Sequence, residues 1–196
     1  MSLKTFVGQA IVDFHTIAAV APSSRYLTQA LLQPLQLGQA SIVVELGAGT
    51  GAITHALLDR LPGDATLLAF EINAHFIHYL ERNFSDPRLV LLHANAETLG
   101  QELRWRGCER VDAVVSSIAL GYLSDQQRHA LLSEVAAFLD KNSIYTQYQY
   151  IHGLQFKDGR LCRFDPSRLL RQYFVCVQRK TTWRNIPPAF VFTCHK

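Results

Sequence analysis

The segment Val43-Val44-Glu45-Leu46-Gly47-Ala48-Gly49-Thr50-Gly51 constrains this chain more than any other. Apolar residues that read as a buried strand run straight into three glycines spaced two apart. Residues 52–61 then carry Ile53, Leu57 and Leu61 on one side, the spacing of a helix, which Pro62-Gly63 stops. Glycine lets a backbone bend sharply and approach a ligand closely, and the first turn of the following helix offers unpaired N–H groups. The same spacing also serves a tight turn that holds nothing. A nicotinamide-binding fingerprint would need its third glycine one position later, where Ala52 stands, and it does not call for an acid two residues before the first glycine. Here the order is E-x-G-x-G-x-G, with Glu45 as the acid.

Strands and helices alternate on both sides of this bend. Residues 41–46 are expected as the first strand, 65–72 as the second, 88–93 as the third, 111–116 as the fourth and 143–150 as the fifth. Asn73 is placed to cap a helix reaching Phe84, Ser85-Asp86-Pro87 makes a turn, and Ser124 with Gln127 has capping-box spacing before a helix to about Leu139. Continuous apolar strands separated by helices predict a mainly parallel sheet covered on both faces. Residues 172–182 and 189–194 both look extended, joined through Asn185 and Pro187-Pro188, which predicts an antiparallel pair added to that sheet. Ahead of the core, Val7, Ala10, Ile11, Phe14, Ile17 and Ala18 fall on one face of a helix over residues 4–21, and residues 26–32 read as a second, short helix.

A chain of 196 residues, 48% of them apolar, is long enough for one substantial core and short for two. We expect one compact domain, with residues 1–38 as a helical lead-in and 39–196 as the ligand-binding body. No secretory leader or long apolar run is visible, so a cytoplasmic protein is expected. Cys108, Cys162, Cys176 and Cys194 form no CxxC pair and read as reduced thiols, with no metal expected. The net charge of +3 hides an asymmetry: from Ile151 onward nine basic residues face two acidic ones, whereas the rest holds ten against fourteen. That split favours an anionic partner for the C-terminal part, either lipid headgroups or nucleic acid, or else a merely solvated basic surface.

The glycine pattern resembles the first motif of the class I S-adenosylmethionine (SAM)-dependent methyltransferases. The resemblance implies an α/β, Rossmann-like fold with a mainly parallel seven-stranded sheet, an antiparallel C-terminal hairpin and helices on both faces. It also implies SAM as cofactor and S-adenosylhomocysteine (SAH) as product. Glu45, Gly47, Ala48, Gly49, Thr50 and Gly51 would then pass beside the methionine part, and Asn95, Ala96 and Glu97, after the third strand, would contact adenine. Glu71 ends the second strand, followed by Ile72, where a carboxylate can accept both hydrogen bonds of a ribose diol. An acid there also stabilises a helix start, and Asn95 and Glu97 equally suit a cap. Ser24 and Ser116 complete the implied cofactor set.

A narrower likeness covers nearly the whole chain. Ala21-Pro22-Ser23-Ser24, the glycine loop, Val114-Val115-Ser116-Ser117, Gln147-Tyr148-Gln149-Tyr150 and Asn185-Ile186-Pro187-Pro188-Ala189 resemble the bacterial phospholipid N-methyltransferases. This implies N-methylation of phosphatidylethanolamine by a peripheral protein on the inner membrane face, with Ser116, Ser117, Ile118 and Tyr122 positioning the acceptor. Ala119 stands where that family usually has proline. Tyr148 and Tyr150 share a strand face, and aromatic faces suit a methylated ammonium. His15, His93 and His152 are possible proton acceptors, and no general base is assigned. The first helix would either insert Phe6, Ile11 and Phe14 among headgroups or close the cofactor pocket as a lid. Rival readings are an RNA adenine dimethyltransferase, a small-molecule methyltransferase and a non-catalytic binding module.

Overall fold

A computed structural model of the chain describes residues 24–151, 153–157 and 160–196. The helix expected over residues 4–21, with Phe6, Ile11, Phe14 and His15, lies outside the described residues, as does His152. Five strands, β1 (Ile42–Leu46), β2 (Thr66–Glu71), β3 (Leu89–His93), β4 (Ala113–Ser116) and β5 (Ile144–Tyr150), pair in parallel. Two further strands, β8 (Cys176–Thr182) and β9 (Ala189–His195), complete one seven-stranded sheet in the order β3-β2-β1-β4-β5-β9-β8. β9 runs antiparallel to β5, with Tyr150 opposite Ala189, and β8 antiparallel to β9. The fold and its C-terminal antiparallel pair are therefore as the sequence pattern implied. The strand order reverses between β1 and β4, and a crevice opens at the carboxyl ends of strands where such a reversal occurs.

Apolar side chains on successive residues of β1 point to opposite faces, and both faces are covered. On one side α1 (Arg25–Leu32) and α2 (Ala52–Leu58) bring Leu27, Leu31 and Leu57 against Val43, Leu67 and Val115. On the other, α4 (Leu99–Trp105), α5 (Asp125–Phe138) and α6 (Ser167–Leu170) bring Leu103, Leu132 and Leu170 against Val44, Leu46, Phe70 and Tyr145. Fully burying a side chain of this size contributes about 1.5–3 kcal/mol, and two such layers explain why the strands read as unbroken apolar runs. A sixth helix, α3 (Ala74–Asn83), sets Leu80 against Ala48 and Ala69.

The predicted caps form. The Asn73 side chain accepts from the His75 N–H at 2.9 Å, and Ser124 Oγ accepts from the Gln127 N–H at 3.2 Å while Gln127 Oε1 accepts from the Ser124 N–H at 2.9 Å. Three features differ from expectation. The helix after the glycine bend stops at Leu58. A hairpin of β6 (Leu154–Lys157) and β7 (Arg160–Arg163) was not read from the sequence. The stretch 172–182 is extended only from Cys176, because Leu170 and Phe174 turn inward to the core, where the Phe174 ring stacks on Tyr145 at 5.3 Å. A tertiary partner, invisible in local periodicity, overrides the extended preference there.

Candidate active site

The glycine bend is shaped by what surrounds it. Gly47, Gly49 and Gly51 all have positive φ, at 85°, 54° and 82°. A Cβ on Gly47 would stand 2.5 Å from Ser117 Oγ, and one on Gly51 would meet the Phe84 ring at 2.6 Å and Leu80 at 2.8 Å. Around Gly49 the corresponding space is open. The bend is tied to its neighbour by backbone bonds from the Gly47 and Ala48 N–H groups to the Phe70 carbonyl, at 2.9 and 3.0 Å. Glu71, largely buried, then turns its carboxylate back over the loop: Oε2 accepts from the Gly49 N–H at 2.8 Å, and Oε1 from the Asn73 N–H at 2.8 Å.

Beside this clasp lies a cavity of about 250 Å³ lined by Gly47, Phe70, Glu71, Ile72, Ala94, Asn95, Ala96, Glu97, Ile118, Leu123, Gln127 and Leu131. It is mostly apolar, and its polar lining comes from Glu71, Asn95, Glu97 and Gln127. Asn95 Oδ1 accepts from the Glu97 N–H at 3.1 Å, and Glu97 Oε1 accepts from Gln127 Nε2 at 2.8 Å. Pockets for whole drug-sized ligands run from about 300 Å³ upward, so this one suits a purine nucleoside portion with the remainder lying along the open glycine bend. Seven residues singled out from the sequence thus meet in one place: Gly47, Glu71, Ile72, Asn95, Ala96, Glu97 and Ile118.

The others occupy different stations. Glu45 is wholly buried below the bend, where Oε2 accepts from Thr54 Oγ1 at 2.7 Å and Oε1 has no partner. Burial pushes its pKa from the ordinary 4.5 up to about 8, against the lowering effect of the Thr54 hydroxyl, so its carboxyl is mainly neutral at pH 7. Ala48, Thr50 and Gly51 do not line the cavity. Ser116 is fully buried, and its Oγ accepts from the Ile118 N–H at 3.3 Å. Ser117 donates from Oγ to the Gly47 carbonyl at 2.5 Å, and its N–H donates to the Leu46 carbonyl at 2.9 Å, so the loop after β4 is sewn to the glycine bend. Ser24 caps α1 and donates to Asn185 Oδ1 at 2.6 Å. His93 sits at the end of β3, with Nε2 3.1 Å from the Ile72 carbonyl.

Tyr148 and Tyr150 do share a face, their rings meeting edge to face at 5.4 Å and 70°. They pack with the α1–α2 layer, on the opposite side of the sheet from Leu131. Tyr122 lies on the short turn after β4 and is 46% exposed.

Two residues that sequence reasoning missed hold the loop after β4. Gln147 Nε2 donates to the Ile118 carbonyl at 2.8 Å, while its Oε1 accepts from Tyr145 at 2.7 Å. Arg128, nearly buried, donates to the Leu120 and Gly121 carbonyls at 2.7 and 3.1 Å, and its guanidinium lies 4.4 Å over the Phe164 ring. The glutamines alternating with tyrosines in β5 were a usable signal for Gln147, because a polar residue in a central strand needs a buried partner. No local pattern marks Arg128. Among the described residues, no group of three or more His, Cys, Asp or Glu could hold a metal, and no helix is long and apolar enough to cross a membrane.

Residues 43–142 match the family model described as "Methyltransferase domain". The ornithine lipid N-methyltransferase of Singulisphaera acidiphila is 27% identical over 190 residues, which cover 96% of this chain and 93% of that protein. Among solved structures, the 1,6-didemethyltoxoflavin-N1-methyltransferase of Burkholderia thailandensis, with bound 1,6-didemethyltoxoflavin and SAH, has a TM-score of 0.62 at 19% identity, covering 99% of this chain and 87% of that one. A SAM-dependent methyltransferase from Archaeoglobus fulgidus reaches 0.65 at 15% identity, covering 88% and 95%. At these identities the two structures share the fold.

Proposed function

The chain belongs to the methyltransferase-domain family and is a SAM-dependent methyltransferase of class I, and on that premise we propose that it N-methylates the amine of a membrane aminolipid. The observation that carries the lipid reading is the likeness to an ornithine lipid N-methyltransferase over almost the full length of both chains. The phosphatidylethanolamine expected from sequence motifs and the ornithine lipid of that relative share one reacting group, an aliphatic amine on an acylated lipid. The amine, not the headgroup name, is therefore the proposed specificity.

The residues present fit the cofactor. Glu71, already fixed by two backbone N–H groups, keeps lone pairs on both oxygens for a ribose diol. The apolar lining by Ala96, Ile118 and Leu131 suits a purine face, and Asn95 and Glu97 add polar groups to the same cavity. The open side of Gly49 leaves room for the methionine part to approach the backbone. Glu45, enclosed beneath the bend, acts on the cofactor only through the loop it supports. Bound SAM supplies an electrophilic methyl on a sulfonium and departs as SAH.

Transfer to an amine is an in-line displacement, in which the nitrogen lone pair forms the new N–C bond as the S–C bond breaks. The enzyme's work is chiefly alignment at near-attack distance. The loop of Ser117 and Ile118, sewn to the glycine bend and to Gln147, provides the rigid wall for that alignment. The acceptor ammonium loses one proton to solvent water before attack, which frees the nitrogen lone pair.

Incubation with methyl-labelled SAM and vesicles containing phosphatidylethanolamine or ornithine lipid should yield labelled lipid. SAH binding without label in either lipid would remove the lipid reading and leave the methyltransferase.

A further inference from the structure

Seven large apolar side chains are exposed among the described residues, and four of them gather at one edge of the sheet. Ile72 follows β2, Tyr122 follows β4, and Trp183 and Ile186 stand in the turn joining β8 to β9. Tyr150, the last residue of β5, pairs with Ala189, the first of β9, so this turn lies at the carboxyl edge that also carries the glycine bend. The turn is anchored from within: Asn185 is buried, accepts from Ser24 Oγ, and donates from Nδ2 to the Pro187 carbonyl at 2.6 Å. Its neighbours point outward, Trp183 72% exposed and Ile186 94%.

Cations flank these apolar tips. The Arg184 guanidinium sits 4.1 Å over the Tyr26 ring and that of Arg25 4.8 Å from it, with Arg25 Nη2 donating to the Tyr26 hydroxyl at 2.8 Å. Among the described residues neither arginine is ion-paired to a carboxylate. Tryptophan favours the membrane–water interface, exposed aliphatic carbons gain by entering the acyl boundary, and unneutralised arginines gain near anionic headgroups. A nucleic acid would reward the arginines and leave Ile186 with nothing.

We propose that the turn of residues 183–186, with Arg25 and Arg184, docks the protein on an anionic lipid bilayer and sets the carboxyl edge of the sheet against the headgroups. This rests on the aminolipid reading above for its purpose, and its test does not depend on methyl transfer.

The chain has two tryptophans, Trp105 and Trp183, and Trp105 lies away from this edge at the end of α4. In full-length Trp105→Phe protein, Trp183 emission should shift to the blue on adding phosphatidylethanolamine/phosphatidylglycerol vesicles. Shallow spin-labelled lipids should quench it. In the otherwise native chain, Trp183→Ala and Ile186→Ser should each weaken vesicle co-sedimentation by about 10-fold, and Arg184→Gln by about 5-fold with a reduced salt sensitivity, at unchanged SAH affinity. Vesicle binding with Trp183 emission unmoved, which would point to residues 1–23 as the docking segment, overturns the proposal. So does salt-sensitive RNA binding in place of vesicle binding. Retained docking with no lipid labelled would keep the surface and remove only the substrate.

Discussion

Glu71 Oε2 accepts a hydrogen bond from the Gly49 N–H at 2.8 Å across 22 positions of sequence, so the carboxyl end of β2 clasps the bend that follows β1. A charged acceptor holding a backbone donor contributes about 1.5–3 kcal/mol, and here it also presets the loop for a ligand.

In Glu71→Gln the amide nitrogen must confront one of the two backbone N–H groups. SAH affinity, measured by calorimetry, should fall by about 10- to 100-fold, equivalent to about 1.4–2.8 kcal/mol. An unchanged dissociation constant would separate the clasp from the cofactor.

Gly51 combines φ +82° with the Phe84 ring 2.6 Å from where a Cβ would stand. Gly51→Ala therefore meets both backbone strain and overpacking against α3, and thermal or denaturant unfolding should show a loss of about 1–3 kcal/mol. Gly63→Ala, with nothing within 4 Å of the added carbon and no positive φ, is the control and should change little.

Glu45 is protonated in the folded protein up to about pH 8, whereas the unfolded chain ionises near its ordinary 4.5. Between those values the native state binds more protons than the unfolded state, so this group's contribution to stability is fully present below 4.5 and is lost as pH rises toward about 8. The slope is at most about 1.4 kcal/mol per pH unit. Glu45→Gln keeps the Thr54 bond and cannot ionise. Denaturant midpoints of the variant and the native chain should therefore diverge steadily as pH rises through that window, and parallel curves would refute the assignment.

Gln147 joins Tyr145 to the Ile118 carbonyl. Gln147→Leu leaves a buried hydroxyl and a carbonyl without their partner, which costs about 1–3 kcal/mol. Methyl transfer should drop more than SAH affinity, because the loop wall loosens while the Glu71 clasp stays. An equal fall in both would place Gln147 in cofactor binding instead.

Much was legible where the signal is local. The E-x-G-x-G-x-G bend and the Ser124–Gln127 box both appear where spacing placed them, because turn geometry and capping depend on residues a few positions apart. The parallel strands were legible as well, since burial on both faces leaves unbroken apolar runs. The turn at Phe174 was not, because the contact that decides it is with Tyr145.

By itself, then, the amino-acid sequence determined the five parallel strands, the antiparallel C-terminal pair, the glycine bend and the candidates Glu71, Asn95 and Glu97. Only the tertiary structure decided that Glu71 faces Gly49, that Glu45 is sealed and mainly neutral, that Gln147 and Arg128 brace the loop after β4, and that Ser24 meets Asn185 across 161 positions. Periodicity reports which side of an element is buried. Which distant polar groups meet there depends on the order of strands in the sheet and on long-range packing, neither of which any short window of sequence carries.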